Sequence, residues 1–176
     1  INLFKLPKTA SIIDIGGGDS HLVDALRELG YSDITMLDIS AKSIERTKVR
    51  LGEKASAVTW IEKDIVDFEP QRMYDFWHDR AAFHFLTTEI QIIKYLAIVK
   101  QGIKSGGHLV LGTFSDKGPN QCSGLEVKQY TEASMSALFE KEFRRIKCME
   151  ETHITPHNTQ QNFVFCSFQR TPTPIL

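Results

Sequence analysis

Ser11-Ile12-Ile13-Asp14-Ile15-Gly16-Gly17-Gly18-Asp19-Ser20-His21 reads as a buried strand running into a glycine turn. Leu22, Val23, Ala25, Leu26 and Leu29 then follow at helical spacing. Gly30 closes the helix, and Ile34-Thr35-Met36-Leu37 makes a second short apolar run ending on Asp38. The unit is strand, glycine loop, helix and strand.

The alternation continues outward from it. Helices are expected over Ser40 to Leu51, Glu89 to Lys104 and Thr131 to Glu142. Strands are expected over Ala57 to Ile61, Tyr74 to His78 and His108 to Phe114, with Ser105-Gly106-Gly107 as the turn into the last of these. Regular alternation of this kind implies an α/β fold, a mostly parallel sheet with helices on both faces. Arg144 to Thr152 and Gln161 to Phe168 have no helix between them, only a turn region with Pro156 and Asn158. They predict a C-terminal antiparallel hairpin, because a parallel pair would need a long crossover. A Rossmann-like seven-stranded sheet ending in an antiparallel strand is therefore expected, unlike a dinucleotide-binding domain, whose last strand is parallel.

At 176 residues and 20.0 kDa the chain is the size of one domain, read as residues 1–170 with a flexible tail over 171–176. Basic and acidic residues nearly cancel, 21 against 22, which argues against a protein that grips nucleic acid by its phosphates. The run from Lys42 to Lys54 alternates with apolar residues at helical spacing and is read as a solvated helix face. Cys122, Cys148 and Cys166 lack metal-ligand spacing, and their odd number argues against a disulfide framework; a reducing compartment, the cytoplasm, is expected. No apolar stretch is long enough for a membrane span and no leader is visible. The start at Ile1 is read as that of a fragment lacking its natural beginning.

Gly16, Gly17 and Gly18 at a helix N-terminus allow a ligand to approach the backbone closely. A dinucleotide fingerprint would place a third glycine at position 21, where His21 stands. Asp14 at the head of the loop suits a ligand with an amino group. Asp38, twenty residues beyond Gly18, suits ribose hydroxyls, and Asp64 in Lys63-Asp64-Ile65 suits an adenine amino group. Each acid has an ordinary alternative as a cap for the following helix. Three of them at successive strand ends favour a nucleoside ligand.

These residues resemble the class I S-adenosylmethionine (SAM)-dependent methyltransferases, whose first motif is an acid followed by alternating glycines; here Asp14, Gly16 and Gly18 match it and Ser20 replaces a frequent third glycine. The resemblance implies SAM as cofactor and S-adenosylhomocysteine as product. It further implies that Asp38 binds the ribose, Ile39 packs on the adenine, and Asp64 and Ile65 hold the adenine edge. Trp77-His78-Asp79-Arg80-Ala81-Ala82-Phe83-His84-Phe85-Leu86 and Cys122-Ser123-Gly124-Leu125 look like a bacterial subgroup of methyltransferases. Asp79-Arg80-Ala81-Ala82 is also similar to stretches in thiopurine and protein lysine methyltransferases, so the resemblance implies the reaction and leaves the acceptor open. Members of the subgroup usually carry more residues ahead of the first strand, which implies that part of a lid is missing here.

Methyl transfer from a sulfonium is an in-line displacement in which alignment is the main task and a base serves only an acceptor that must lose a proton. His78 and Asp79, at the fourth strand's end, are the first candidates to face the methyl group, with His78 alternatively packed and offering only its carbonyl to the cofactor's amino group. Arg80 is expected to clamp an acidic acceptor or to pair with Asp79. His84 is expected to be a satisfied core residue, Trp77, Phe83 and Phe85 core or pocket wall, and Cys122 a pocket-lining or inert residue in a lid loop, Asp116 to Tyr130. His153 and His157 have metal-like spacing, but Pro156 breaks the helix that would align them, so no metal site is expected. A small-molecule acceptor is expected; a protein lysine, or a non-catalytic SAM-binding module, are the rival readings, with a nicotinamide oxidoreductase a distant one.

Overall fold

Ser11–Ile15 (β1) is buried at every position, as a strand covered on both faces must be. In the computed structural model, which describes residues 2–80, 82–155, 158 and 160–172, β1 is the third of seven strands. Around it lie Asp33–Asp38 (β2), Val58–Glu62 (β3), Tyr74–Arg80 (β4), Ile103–Phe114 (β5), Phe143–Ile154 (β8) and Gln160–Arg170 (β9), in the order β3-β2-β1-β4-β5-β9-β8. β1 pairs in parallel with β2 and β4, and β4 with β5, while β9 runs antiparallel to both β5 and β8. The antiparallel strand thus sits inside the sheet and leaves β8 as the edge.

Alternation along the strands sends side chains to two cores. On one face Ile12, Ile34, Met36 and Phe76 pack with Val23 and Leu26 of Leu22–Glu28 (α1) and with Ile44 and Leu51 of Ala41–Leu51 (α2). On the other, Ile13, Leu37, Trp77 and Leu111 pack with Ile92, Tyr95 and Val99 of Glu89–Gly102 (α3) and with Met135 and Phe139 of Glu132–Phe139 (α4). Thr88 and Gln91 form a capping box on α3 and Ser40 caps α2. Surface ion pairs such as Lys100–Glu142 contribute at most about 1 kcal/mol each. Burying one Leu or Phe contributes about 1.5–3 kcal/mol, so the two cores decide stability.

The structure departs from the sequence reading in four places. Ser105-Gly106-Gly107 is not a turn before a strand but an irregularity within β5: Tyr74 pairs with Ile103 and Phe76 with His108, and Gly106 takes a φ of +76° there. The loop after β5 holds a small hairpin, Gln121–Cys122 (β6) with Leu125–Glu126 (β7), whose turn residues Ser123 and Gly124 both have positive φ. Thr171, expected in the flexible tail, is bonded through its N–H and its hydroxyl to the Glu142 carbonyl, while residues 173–176 lie outside the described residues.

The fourth departure is a correction. Two of the three cysteines, Cys148 and Cys166, form a disulfide, because the β8–β9 register sets them directly opposite with Cα atoms 4.1 Å apart. Cysteine parity carries no information about strand register, and the ground for expecting a reducing compartment falls with it. The bond closes a span of 18 residues, for which chain entropy gives a stabilisation of about 3 kcal/mol. Urea unfolding with and without dithiothreitol should therefore show a lower midpoint for the reduced protein; coincident curves would contradict the cross-strand bond.

Candidate functional site

The carboxyl ends of β1, β2 and β4 lie side by side, with Asp14 paired across the sheet with Met36 on one side and His78 on the other. Asp14, Asp38 and His78 occupy equivalent positions in the strand alternation and emerge on the α1–α2 face. Asp14 is 1% exposed. Its Oδ1 accepts a hydrogen bond from His78 Nδ1 at 2.7 Å, and its Oδ2 is buried without a partner among the described residues. A buried carboxylate oxygen left unpaired is costly, so the site is suited to a hydrogen-bond donor arriving from a ligand.

The glycine loop lies directly over these acids. Gly16 and Gly18 have φ of +65° and +30°, a region that disfavours other residues. A Cβ on Gly17 would come within 2.6 Å of Asp14 Oδ2 and one on Gly18 within 3.0 Å of Asp38 Oδ2, while one on Gly16 would meet the Ala82 side chain at 2.8 Å. Three residues of α2 tie the loop down. Thr47, fully buried, donates from its hydroxyl to the Gly18 carbonyl at 2.6 Å; Arg46 pairs with Asp19, and Arg50 donates to the Ser20 carbonyl and pairs with Asp24. Two arginines of the basic run read as a solvated face thus hold the loop. No local spacing could show this, since their partners lie 26 to 31 residues away.

Asp38 Oδ1 accepts from the Ser40 N–H at 2.7 Å, and neighbouring Ile39 is 67% exposed. Asp64 caps the short turn Ile65–Asp67 by accepting from the Val66 N–H, and Ile65 is buried in the main core. A cavity of about 220 Å³ is lined by Asp14, Gly16, Gly17, Ser20, His78 and Arg80, with Phe114, Cys122, Gln161 and Phe163 from β5, β6 and β9. A larger cavity of about 410 Å³, lined by Thr87, Asn120, Gln121, Glu126, Val127 and Lys128, shares none of these residues.

Residues 13–109, more than half of the chain, match the family model described as a methyltransferase domain. N-methyltransferase NodS from Bradyrhizobium japonicum has the same fold, with a TM-score of 0.76 at 16% identity over 93% of this chain and 88% of that one. A SAM-dependent methyltransferase from Methanosarcina mazei gives 0.77 at 16% identity over 96% and 95%. The chain belongs to the class I SAM-dependent methyltransferases. Malonyl-[acyl-carrier protein] O-methyltransferase from Anoxybacillus flavithermus is 33% identical over 108 residues, 61% of this chain and 40% of the relative. This methyltransferase chain spans about two-fifths of the length of the curated relatives it matches.

Of the three strand-end residues considered for chemistry, the 220 Å³ cavity receives His78 and Arg80 but not Asp79. Successive side chains on β4 point to opposite faces, so Asp79 joins Trp77 on the core side. There it is fully buried, with Oδ1 accepting from the Ala82 and Phe83 N–H groups and Oδ2 from the Tyr95 hydroxyl at 2.7 Å. Burial pushes its carboxyl up to about 6 against the pull of those donors. It pairs with neither Arg80 nor a solvent-facing group.

His84 is buried between Phe85 and Phe114; its Nδ1 accepts from the Phe114 N–H at 3.4 Å while Nε2 has no partner among the described residues, and burial pushes its pKa down to about 4. It is a neutral core residue, half satisfied. Trp77 and Phe83 are core, Phe85 packs in the small cluster with Phe114 and Phe163, and Cys122 lines the cavity as a free thiol. His153 stands exposed on β8, and Ala81, Pro156 and His157 lie outside the described residues.

Asp79 carries a pH signature. Between its ordinary 3.8 and about 6 the unfolded chain is ionised while the native carboxyl holds its proton, so Asp79 costs stability progressively as pH rises through that window. Asp79→Asn keeps the acceptor oxygen and removes the ionisation. Its urea midpoint should gain on that of the wild type from pH 4 to pH 7; a difference that stays constant over the range would refute the burial argument.

Proposed function

We propose that this chain catalyses transfer of the SAM methyl group to a small-molecule acceptor. The observation that carries the proposal is the buried Asp14 carboxylate, with one oxygen held by His78 and the other unpaired beneath a glycine loop that leaves no room for side chains. That oxygen fits an ammonium donor such as the cofactor's α-amino group, and the glycines allow its close approach. Asp38 keeps Oδ2 for ribose hydroxyls while Oδ1 is fixed by Ser40, and exposed Ile39 offers an apolar surface to the adenine, with Asp64 and Ile65 bordering its edge.

SAM supplies an activated methyl group, and the protein's task is to hold donor and acceptor in line and keep water out. His78 gives its Nδ1 proton to the Asp14 hydrogen bond, which holds the ring in one tautomer at the cavity wall. Asp79 acts as a positioning residue, locking the turn after β4 through Ala82, Phe83 and Tyr95.

A small acceptor is favoured over a protein lysine because the cavity is confined and bears Arg80, which repels a protonated amine. His78 and Arg80 in the cavity favour an enzyme over a binding module. We propose one domain over residues 1–170, and a cytoplasmic location on the ground that SAM is a cellular metabolite; no helix among the described residues is long and apolar enough to cross a membrane.

Calorimetric titration with S-adenosylhomocysteine tests the cofactor reading. The wild type should bind, and Asp38→Ala and Asp14→Asn should each weaken binding by at least about 10-fold, the loss of one charge-assisted hydrogen bond. Gly17→Ala, which drives a methyl against Asp14 Oδ2, should weaken it comparably. Absence of binding to the wild type would sink the proposal.

A further inference from the structure

The cavity wall carries an exposed cation, Arg80, that pairs with no acid among the described residues. Arg80 lines the cavity, and among the described residues no hydrogen bond or ion pair engages its guanidinium. Its neighbour in sequence, Asp79, faces the other side of the sheet and is fully used by Ala82, Phe83 and Tyr95. What Arg80 does touch is aromatic: its Cζ lies 5.5 Å from the centre of the Phe163 ring. Phe163 packs on Phe114 with ring centres 4.7 Å apart, and both rings line the same cavity. A guanidinium over an aromatic face is attracted to it, and its N–H groups remain able to bond a planar oxyanion.

Three acceptor classes can be compared against that wall. A protonated amine is repelled by Arg80 at close range. A neutral hydroxyl or amine gains no charge pairing from the guanidinium and must shed a proton. A carboxylate matches the two-pronged geometry of arginine and arrives already deprotonated.

We infer that, given the methyl transfer proposed above, the acceptor is a carboxylate, bound by Arg80 where it lies over Phe163 and released as its methyl ester. In the step, one carboxylate oxygen forms the new O–CH₃ bond as the S–CH₃ bond breaks and its electron pair passes to sulfur. The negative charge of the acceptor and the positive charge of the sulfonium cancel, giving a neutral ester and a neutral thioether with no proton to remove. Once the acceptor's charge is gone Arg80 loses its hold on it, which favours release of the ester. The curated relatives are named O-methyltransferases and NodS, an N-methyltransferase at 16% identity, shares the fold alone, so the inference rests on this chain's own residues.

The test uses the purified chain, methyl-tritiated SAM and a mixture of aliphatic and aromatic carboxylates (hexanoate, malonate, benzoate, phenylacetate and cinnamate) with hexylamine, benzylamine and phenethylamine. Mild alkali releases label from methyl esters as volatile methanol and leaves N-methyl groups intact. The expected result is alkali-volatile label on an acid. Arg80→Gln should cut kcat/KM for that acid by roughly 10- to 100-fold, the loss of a charge-assisted hydrogen-bond pair. Most of the change should appear in KM, because the acceptor's charge is greatest before transfer. Arg80→Lys should recover part of it, and both variants should bind S-adenosylhomocysteine as the wild type does. Label confined to the amines, no labelled acid from a protein that binds S-adenosylhomocysteine, or an Arg80→Gln variant as active as the wild type would each overturn the inference. A wild type that fails to bind S-adenosylhomocysteine would overturn the cofactor reading, and this inference with it.

Discussion

The hydrogen bond between Asp14 and His78 depends on one feature of the sheet, the parallel pairing of β1 with β4 that sets these two residues directly opposite each other. Neither group is stable in its place alone. Asp14 is a nearly inaccessible carboxylate, and without the imidazole both of its oxygens would be buried unpaired. His78 in turn is held in one tautomer by the carboxylate. A register slip of one residue would turn Asp14 into the core and bring Ile13 or Ile15 to the cavity. The glycine loop, packed within contact distance of the same carboxylate, would then have nothing to close upon.

Two unlike devices hold this arrangement. Beneath the sheet the Asp79 carboxylate, anchored by Tyr95 and by the Ala82 and Phe83 N–H groups, ties the chain after β4 to the core. Burying an ionisable group for this purpose has a cost, expressed as its raised pKa, and the core around Trp77, Phe83 and Tyr95 offsets it. Above the sheet, Thr47, Arg46 and Arg50 of α2 bind the glycine loop through its own carbonyls and the side chains of Asp19 and Asp24. The arginine contacts are partly exposed and individually weak, whereas the Thr47 bond is buried and carries more of the load.

Much of the fold was legible because it rests on local pattern. Apolar runs with period two, helical spacing between them, the glycines after Asp14 and the unbroken pair of C-terminal strands identified, among the described residues, each strand of the main sheet and the four α-helices, with ends displaced by up to about five residues. Less legible was anything that depends on which residue faces which. Asp79 and Arg80 are adjacent in sequence and were natural partners on paper; on a strand they point in opposite directions. Cys148 and Cys166 are an unremarkable pair by spacing and meet because two strands align. The β6–β7 hairpin that brings Cys122 to the cavity is too short to stand out from its loop.

By itself the sequence determined the class of fold and the strand ends at which the acids and glycines gather, because hydrophobic periodicity and glycine's freedom at positive φ act within a few residues of chain. Only the tertiary structure decided which of those residues share a cavity. Register and strand order bring together groups separated by dozens of residues, such as Asp14 with His78 and Arg80 with Phe163. Such contacts are selected by the packing of the whole sheet, and no local window of sequence contains both partners.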